Sequence, residues 1–204
     1  MTQILAVAVI TVLAVIAPGA DFAMIVRNSY LHGRRTGLLA ATGVAAGVLV
    51  HVTYTMLGVG LLIASSTYLF TAIKLMGAAY LVYVGVRTFR TRGEVEIDLT
   101  GERELTPLAA LRTGFLTNVL NPKTTLFVVS TFAQVISPDT PVWQQVGYGL
   151  FMSLAHLLWF GVVAVFFSHE RMRSLMLRGQ KVLNKVIGSV LAGLGVSLAL
   201  APSH

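Results

Sequence analysis

The chain is a succession of apolar runs, each about as long as the roughly 20 residues a helix needs to cross a bilayer. They fall at about 3–26, 37–64, 67–89, 108–136, 142–167 and 182–201. Little is left over for a water-soluble domain: 55% of the residues are hydrophobic and 11% charged, against about 25% charged in a soluble globular chain. The expected fold class is therefore an all-α integral membrane protein with about six transmembrane helices. The first run has a superficial cleavage site at Ala17-Pro18-Gly19-Ala20, but Met1-Thr2-Gln3 supplies no basic leader. It reads as an uncleaved first helix. The absence of cysteine excludes disulfide, thiolate-metal and thiol redox chemistry.

The basic residues alternate from loop to loop. Arg27, Arg34 and Arg35 follow the first span. Arg87, Arg90, Arg92 and Arg103 flank or occupy the third loop, and Arg171, Arg173, Arg178, Lys181 and Lys185 the fifth. The connections around Ser65-Ser66 and from Ser137 to Pro141 carry none. Basic loops stay on the cytoplasmic side, so both termini are expected outside. The formal net charge of +7 is thereby a topology signal, and nucleic acid is not an expected partner. Glu94, Glu96, Asp98, Glu102 and Glu104 mix with arginines in the third loop, as in a solvated linker. The expected division is a first three-helix repeat over 1–89, a cytoplasmic linker over 90–107 and a second repeat over 108–204.

Three spans before a linker and three after it would place the halves in opposite membrane orientation. Pro18 in span one and Pro122 in span four fall at nearly the same offset as His51 in span two and His156 in span five. Lys74-Leu75-Met76-Gly77 in span three is echoed at a slightly larger offset by Lys185-Val186-Ile187-Gly188 in span six. Inverted repeats with helices broken by proline or glycine at matching places are a transporter pattern; an ordinary bundle with two kinked helices is the plainer reading. Gly43 and Gly47 form a GxxxG face suited to close helix contact.

Charge at membrane depth is costly and usually functional. Asp21 follows Pro18-Gly19-Ala20, where proline removes a backbone donor and glycine loosens the turn. It reads either as a cap for free N–H groups at a restarted helix or as a site for a proton or a cationic ligand group. Asn118 and Asn121-Pro122-Lys123 form a second cluster, with Pro122 as first residue of a half-helix and Asn121 as its N-cap. That helix end and the Lys123 ammonium favour an anion; a capped kink with Lys123 snorkelling outward is the structural alternative. Lys74 sits well inside span three and reads equally as a snorkelling residue or a pathway residue. His51 and His156 are candidate proton relays, although packing histidines are commoner. Tyr80 and Tyr83 read as packing or interface residues.

Four motifs occur in order: Pro18-Gly19-Ala20-Asp21; His32-Gly33-Arg34-Arg35-Thr36-Gly37; Lys74 to Gly77 continuing through Tyr80 and Tyr83 to Gly85; and Gly114-Phe115 through Asn118 to Asn121-Pro122-Lys123. In these, and in span count, the chain resembles the LysE/RhtB family of bacterial amino-acid exporters over nearly its whole length. It departs in having Ala20 where that family commonly has a second proline. The resemblance implies a bacterial inner-membrane carrier exporting amino acids, small, neutral or basic, or related zwitterions, by proton antiport.

No nucleotide-binding loop is present, so energy must come from a gradient or from the cargo. A divalent-metal exporter of similar architecture is the alternative. Hard cations want several oxygen ligands, whereas Asp21 is the one acid clearly within a span and span four offers Lys123. An enzyme would need a nucleophile with a paired base, and no acid–histidine pair is visible. The expected ligands are thus an amino acid and protons, with membrane lipid around the helices, no cofactor and no metal site. A homo-oligomer is compatible with this reading.

Overall fold

The computed structural model describes residues 2–65, 67–90, 105–136 and 140–169, with a few positions between 182 and 196. The regular elements there are all helices: α1 (Thr2–Ile16), α2 (Ala20–Ser65), α3 (Thr67–Arg90), α4 (Pro107–Val119), α5 (Pro122–Val135) and α6 (Val142–Phe167). The described positions from 182 to 196 are also helical. The expected linker over 90–107 and the basic fifth loop lie mostly outside the described residues.

Two elements are interrupted where proline and glycine stand. α1 has 15 residues, α4 has 13 and α5 has 14. At about 1.5 Å per residue none exceeds roughly 23 Å, short of a hydrocarbon core of about 30 Å. α1 continues into α2 across residues 17–19, and α4 into α5 across Leu120-Asn121. Thr106 caps α4 by accepting from the Ala109 N–H, and Asn121 caps α5 by accepting from the Lys123 N–H.

The expected loop over 27–36 is corrected: the backbone is helical there except at Gly33. Gly33 takes φ 82° and ψ 172°, a region essentially reserved for glycine. A Cβ placed on Gly37 would overlap the Ser29 hydroxyl. Eight residues apart on a straight helix are about 12 Å distant, so α2 is a hairpin of two helices joined through one glycine. The apolar stretch 20–58, with mean hydropathy 1.6, therefore folds back on itself, while Val142–Phe167, with mean hydropathy 2.2, is long and apolar enough to cross a membrane unbroken.

Polarity is distributed inside out. Leu5, Leu57, Leu108, Leu120, Trp143 and Leu158 are all more than 60% exposed, whereas Asp21, His51, Asn118, Asn121, Thr124 and His156 are buried. A continuous apolar exterior of this kind needs lipid to cover it. The protein is a helical membrane protein. The arm of α2 after Gly33 and α4 approach to backbone contact. A Cβ on Gly43 would strike the Leu111 carbonyl, and one on Gly114 the Ala40 carbonyl. The GxxxG face thus packs on α4.

Among the described residues two large apolar clusters fill the interior, with a small one around Ala17. One gathers Val7, Ile10 and Ala14 with Val48, Val52, Phe127, Phe132 and Met152. The other gathers Val15, Phe22 and Ile25 with Ala40, Val44, Phe160 and Phe167. Along α6, His156 falls between Met152 of the first and Phe160 of the second, and both helix breaks lie at this same level. A polar layer is sandwiched between two greasy ones.

Candidate functional site

The two helix breaks meet in that polar layer, and each supplies what the other lacks. Asp21, in the first turn after the first break, is 5% exposed. Its Oδ2 accepts from Asn118 Nδ2 at 2.9 Å, from Asn121 Nδ2 at 3.0 Å and, more distantly, from the Thr124 hydroxyl at 3.4 Å. All three donors belong to the second break. Its Oδ1 is buried with no hydrogen-bond donor among the described residues.

The return contact comes from Lys123. A cation in the first turn of α5 faces the positive end of its own helix. Its ammonium instead crosses to the first break and donates to the carbonyls of Ala14, at 3.1 Å, and Ala17. These are among the carbonyls a helix leaves unpaired at its C-terminal end. Gly19 makes room for the passing stem: a Cβ there would lie 3.3 Å from Lys123 Cδ. The breaks are thus strapped twice, acid to amides in one direction and ammonium to carbonyls in the other.

The residues singled out in the sequence take distinct places. Pro18 and Gly19 form the first break, and Pro122 opens α5. His51 is buried and bonds through Nε2 to the Asn118 carbonyl at 3.0 Å. A carbonyl only accepts, so Nε2 carries the proton and Nδ1 accepts from the Tyr54 hydroxyl at 2.6 Å. His51 thereby caps the end of α4. His156 bonds through Nδ1 to the Met152 carbonyl of its own helix at 2.8 Å. Lys74 is in α3, but its side chain lies outside the described residues. Tyr80, on the same helix, donates to the Lys123 carbonyl at 3.2 Å.

Thr124 and Tyr54 join the network without having been marked in the sequence. Thr124 is one turn beyond Asn121 and Tyr54 one turn beyond His51, a spacing that places each beside its partner on a helix face. Gly47 has a use beyond helix contact as well. A Cβ there would lie 2.7 Å from Asn118 Oδ1, so this glycine sets how Asn118 stands against Asp21.

A small cavity, about 20 Å³, opens at the junction. Asp21, Asn121, Lys123 and Thr124 line its polar side, and Phe22, Phe127, Phe160 and His156 the other. Space of this size holds roughly one water. The space is too small for an amino acid, and a larger ligand fits only if the breaks separate. Among the described residues no three acids or histidines gather as a metal would need.

The sequence pattern of the family described as LysE type translocator matches residues 12–201. A membrane protein of Bacillus subtilis (strain 168), YrhP, is 31% identical, covering 98% of this chain and all of that protein. The threonine efflux protein of Escherichia coli (strain K12) is 27% identical over 97% of each chain. The homoserine/homoserine lactone efflux protein of Salmonella typhimurium is 27% identical, covering 91% of this chain and 90% of that one. No solved structure matches the chain.

Proposed function

The chain belongs to the family of LysE type translocators, and from that premise we propose a secondary transporter that exports amino acids across the bacterial inner membrane by proton antiport. The observation that carries the reading is the reciprocal strap between the breaks. An amino acid presents an ammonium and a carboxylate on one carbon. Its site needs an acceptor and a donor a few ångströms apart, in a place shielded from water. Asp21 supplies the acceptor. The N-terminal end of α5, with Asn121 and Lys123, supplies the donors. In the closed form these groups satisfy one another through Asn121 Nδ2 and the Ala14 and Ala17 carbonyls. A bound zwitterion gives its ammonium to the free Asp21 Oδ1, and its carboxylate takes the place of the two carbonyls on Lys123.

Proteins named for threonine efflux and for homoserine efflux align over nearly the whole chain, which supports an amino-acid cargo. The proposed arrangement is two three-helix repeats of inverted orientation, with breaks in the first and fourth spans and both termini outside. Counterflow in proteoliposomes with a panel of labelled amino acids tests the function. Exchange of small neutral amino acids is expected, with none of divalent cations. Movement of cations alone would replace this reading with a metal exporter.

A further inference from the structure

The cavity has an apolar end, and one polar side chain stands in it. His156 lines the space and is 4% exposed. Its ring centroid lies 6.1 Å from that of Phe127 and 6.0 Å from that of Phe160. With the Nδ1 proton committed to the Met152 carbonyl, a neutral ring carries its lone pair on Nε2, an acceptor and not a donor.

The other polar lining groups are largely engaged. Asn121 donates through Nδ2 to Asp21 and accepts at Oδ1 from the Lys123 N–H. Thr124 is shared between Asn118 and Asp21, and Lys123 holds two carbonyls. Among the described residues two of the lining acceptors have no hydrogen-bond partner, Asp21 Oδ1 and His156 Nε2, whose ring bonds through Nδ1. Asp21 answers the ammonium common to every amino acid. His156 is then free to read the side chain.

What it can read is narrow. A ligand group opposite a lone pair must donate a proton. A second ammonium there would be charged, ringed by Phe22, Phe127 and Phe160, with Asp21 already committed and the Lys123 charge nearby. A hydroxyl donates without bringing a charge, and in apolar surroundings it is costly to bury without a partner. We propose that His156 Nε2 accepts from a hydroxyl on a short substrate side chain and so selects hydroxylated amino acids. This rests on the amino-acid export reading and adds the residue that determines specificity.

The test uses the purified full chain and two ligands that differ by one hydroxyl, threonine and 2-aminobutyrate. The wild type is expected to bind threonine about tenfold more tightly, the worth of one ordinary hydrogen bond. His156→Phe should erase that preference by weakening threonine while leaving 2-aminobutyrate nearly unchanged. His156→Gln, which keeps an acceptor, should restore part of it, and it decides the matter if the phenylalanine variant binds neither ligand. Equal binding of both ligands by the wild type overturns the proposal, as does a threonine preference that survives His156→Phe or a glutamine variant that binds both alike. Tighter binding of lysine than of either ligand overturns it too. If the wild type binds no amino acid at all, the export reading falls first and this inference with it.

Discussion

Asp21 holds one oxygen against three donors and the other against none among the described residues. That asymmetry suits a group that exchanges its partner during a cycle, because the free oxygen can take a proton or an ammonium while the bound one keeps the carboxyl in place. Asp21→Asn retains the shape and removes the charge. It is expected to abolish export driven by an imposed pH gradient, and substrate accumulation by the variant under that gradient would show that the coupling group lies elsewhere. Lys123→Ala tests the opposite end of the ligand. It frees the Ala14 and Ala17 carbonyls as well as the substrate carboxylate, so a fall in affinity alone would be ambiguous. The ratio of affinities for an amino acid and its decarboxylated amine cancels the shared damage. Losing one partner of a desolvated charge pair costs about 2–5 kcal/mol, or about thirty-fold and upward in affinity, and that loss should fall on the amino acid alone. At this scale the sequence marks both breaks and their chemistry, since Pro18, Asn121 and Pro122 act on their own backbone. It leaves Thr124 and Tyr54 unmarked, because their importance depends on how one helix is rotated against another.

The helices themselves illustrate where local signals suffice. Proline at 18 and 122 forces interruptions wherever the surrounding chain goes, and both occur. The turn at Gly33 is different. Arg27, Arg34 and Arg35 read as a loop, and a loop of ordinary length was expected, yet the chain reverses through one residue and stays helical on either side. The packing of Ser29 against Gly37, and of Phe22, Ile25 and Val26 with Ala40, Ala41 and Val44, makes so tight a reversal worthwhile, and packing between arms is not written in either arm. Because φ at Gly33 is 82°, a side chain there is strained by about 1–3 kcal/mol. Nothing lies within 4 Å of where a Cβ would sit, so the cost is conformational and not steric. Gly33→Ala is expected to lower the thermal midpoint in detergent while leaving amino-acid binding by the folded fraction intact. An unchanged midpoint would mean that the hairpin opens at no cost.

For the whole molecule, orientation and closure are linked. The charge alternation predicts that the connections near Ser66 and Pro138 lie outside, so reporter fusions at these points should report an external location; a cytoplasmic signal at either would reverse the assignment. In that frame the polar layer lies between two apolar clusters, with room for about one water. The proposed transport, if it runs by alternating access, demands that the strap between the breaks open toward one side and afterwards toward the other. The chain has no cysteine of its own, so a single introduced thiol reports cleanly. Ala17 is suited to it, being 2% exposed, lining the cavity and presenting a side chain that makes no polar contact in the network. Ala17→Cys should resist a membrane-impermeant thiol reagent in vesicles of either orientation at rest. It should become reactive in both orientations when substrate and a pH gradient drive turnover. Labelling from one face only, unaffected by substrate, would describe a fixed cleft. Strong labelling at rest would mean that the breaks are not strapped in the membrane, and the reciprocal contact of Asp21 and Lys123 could not be the gate.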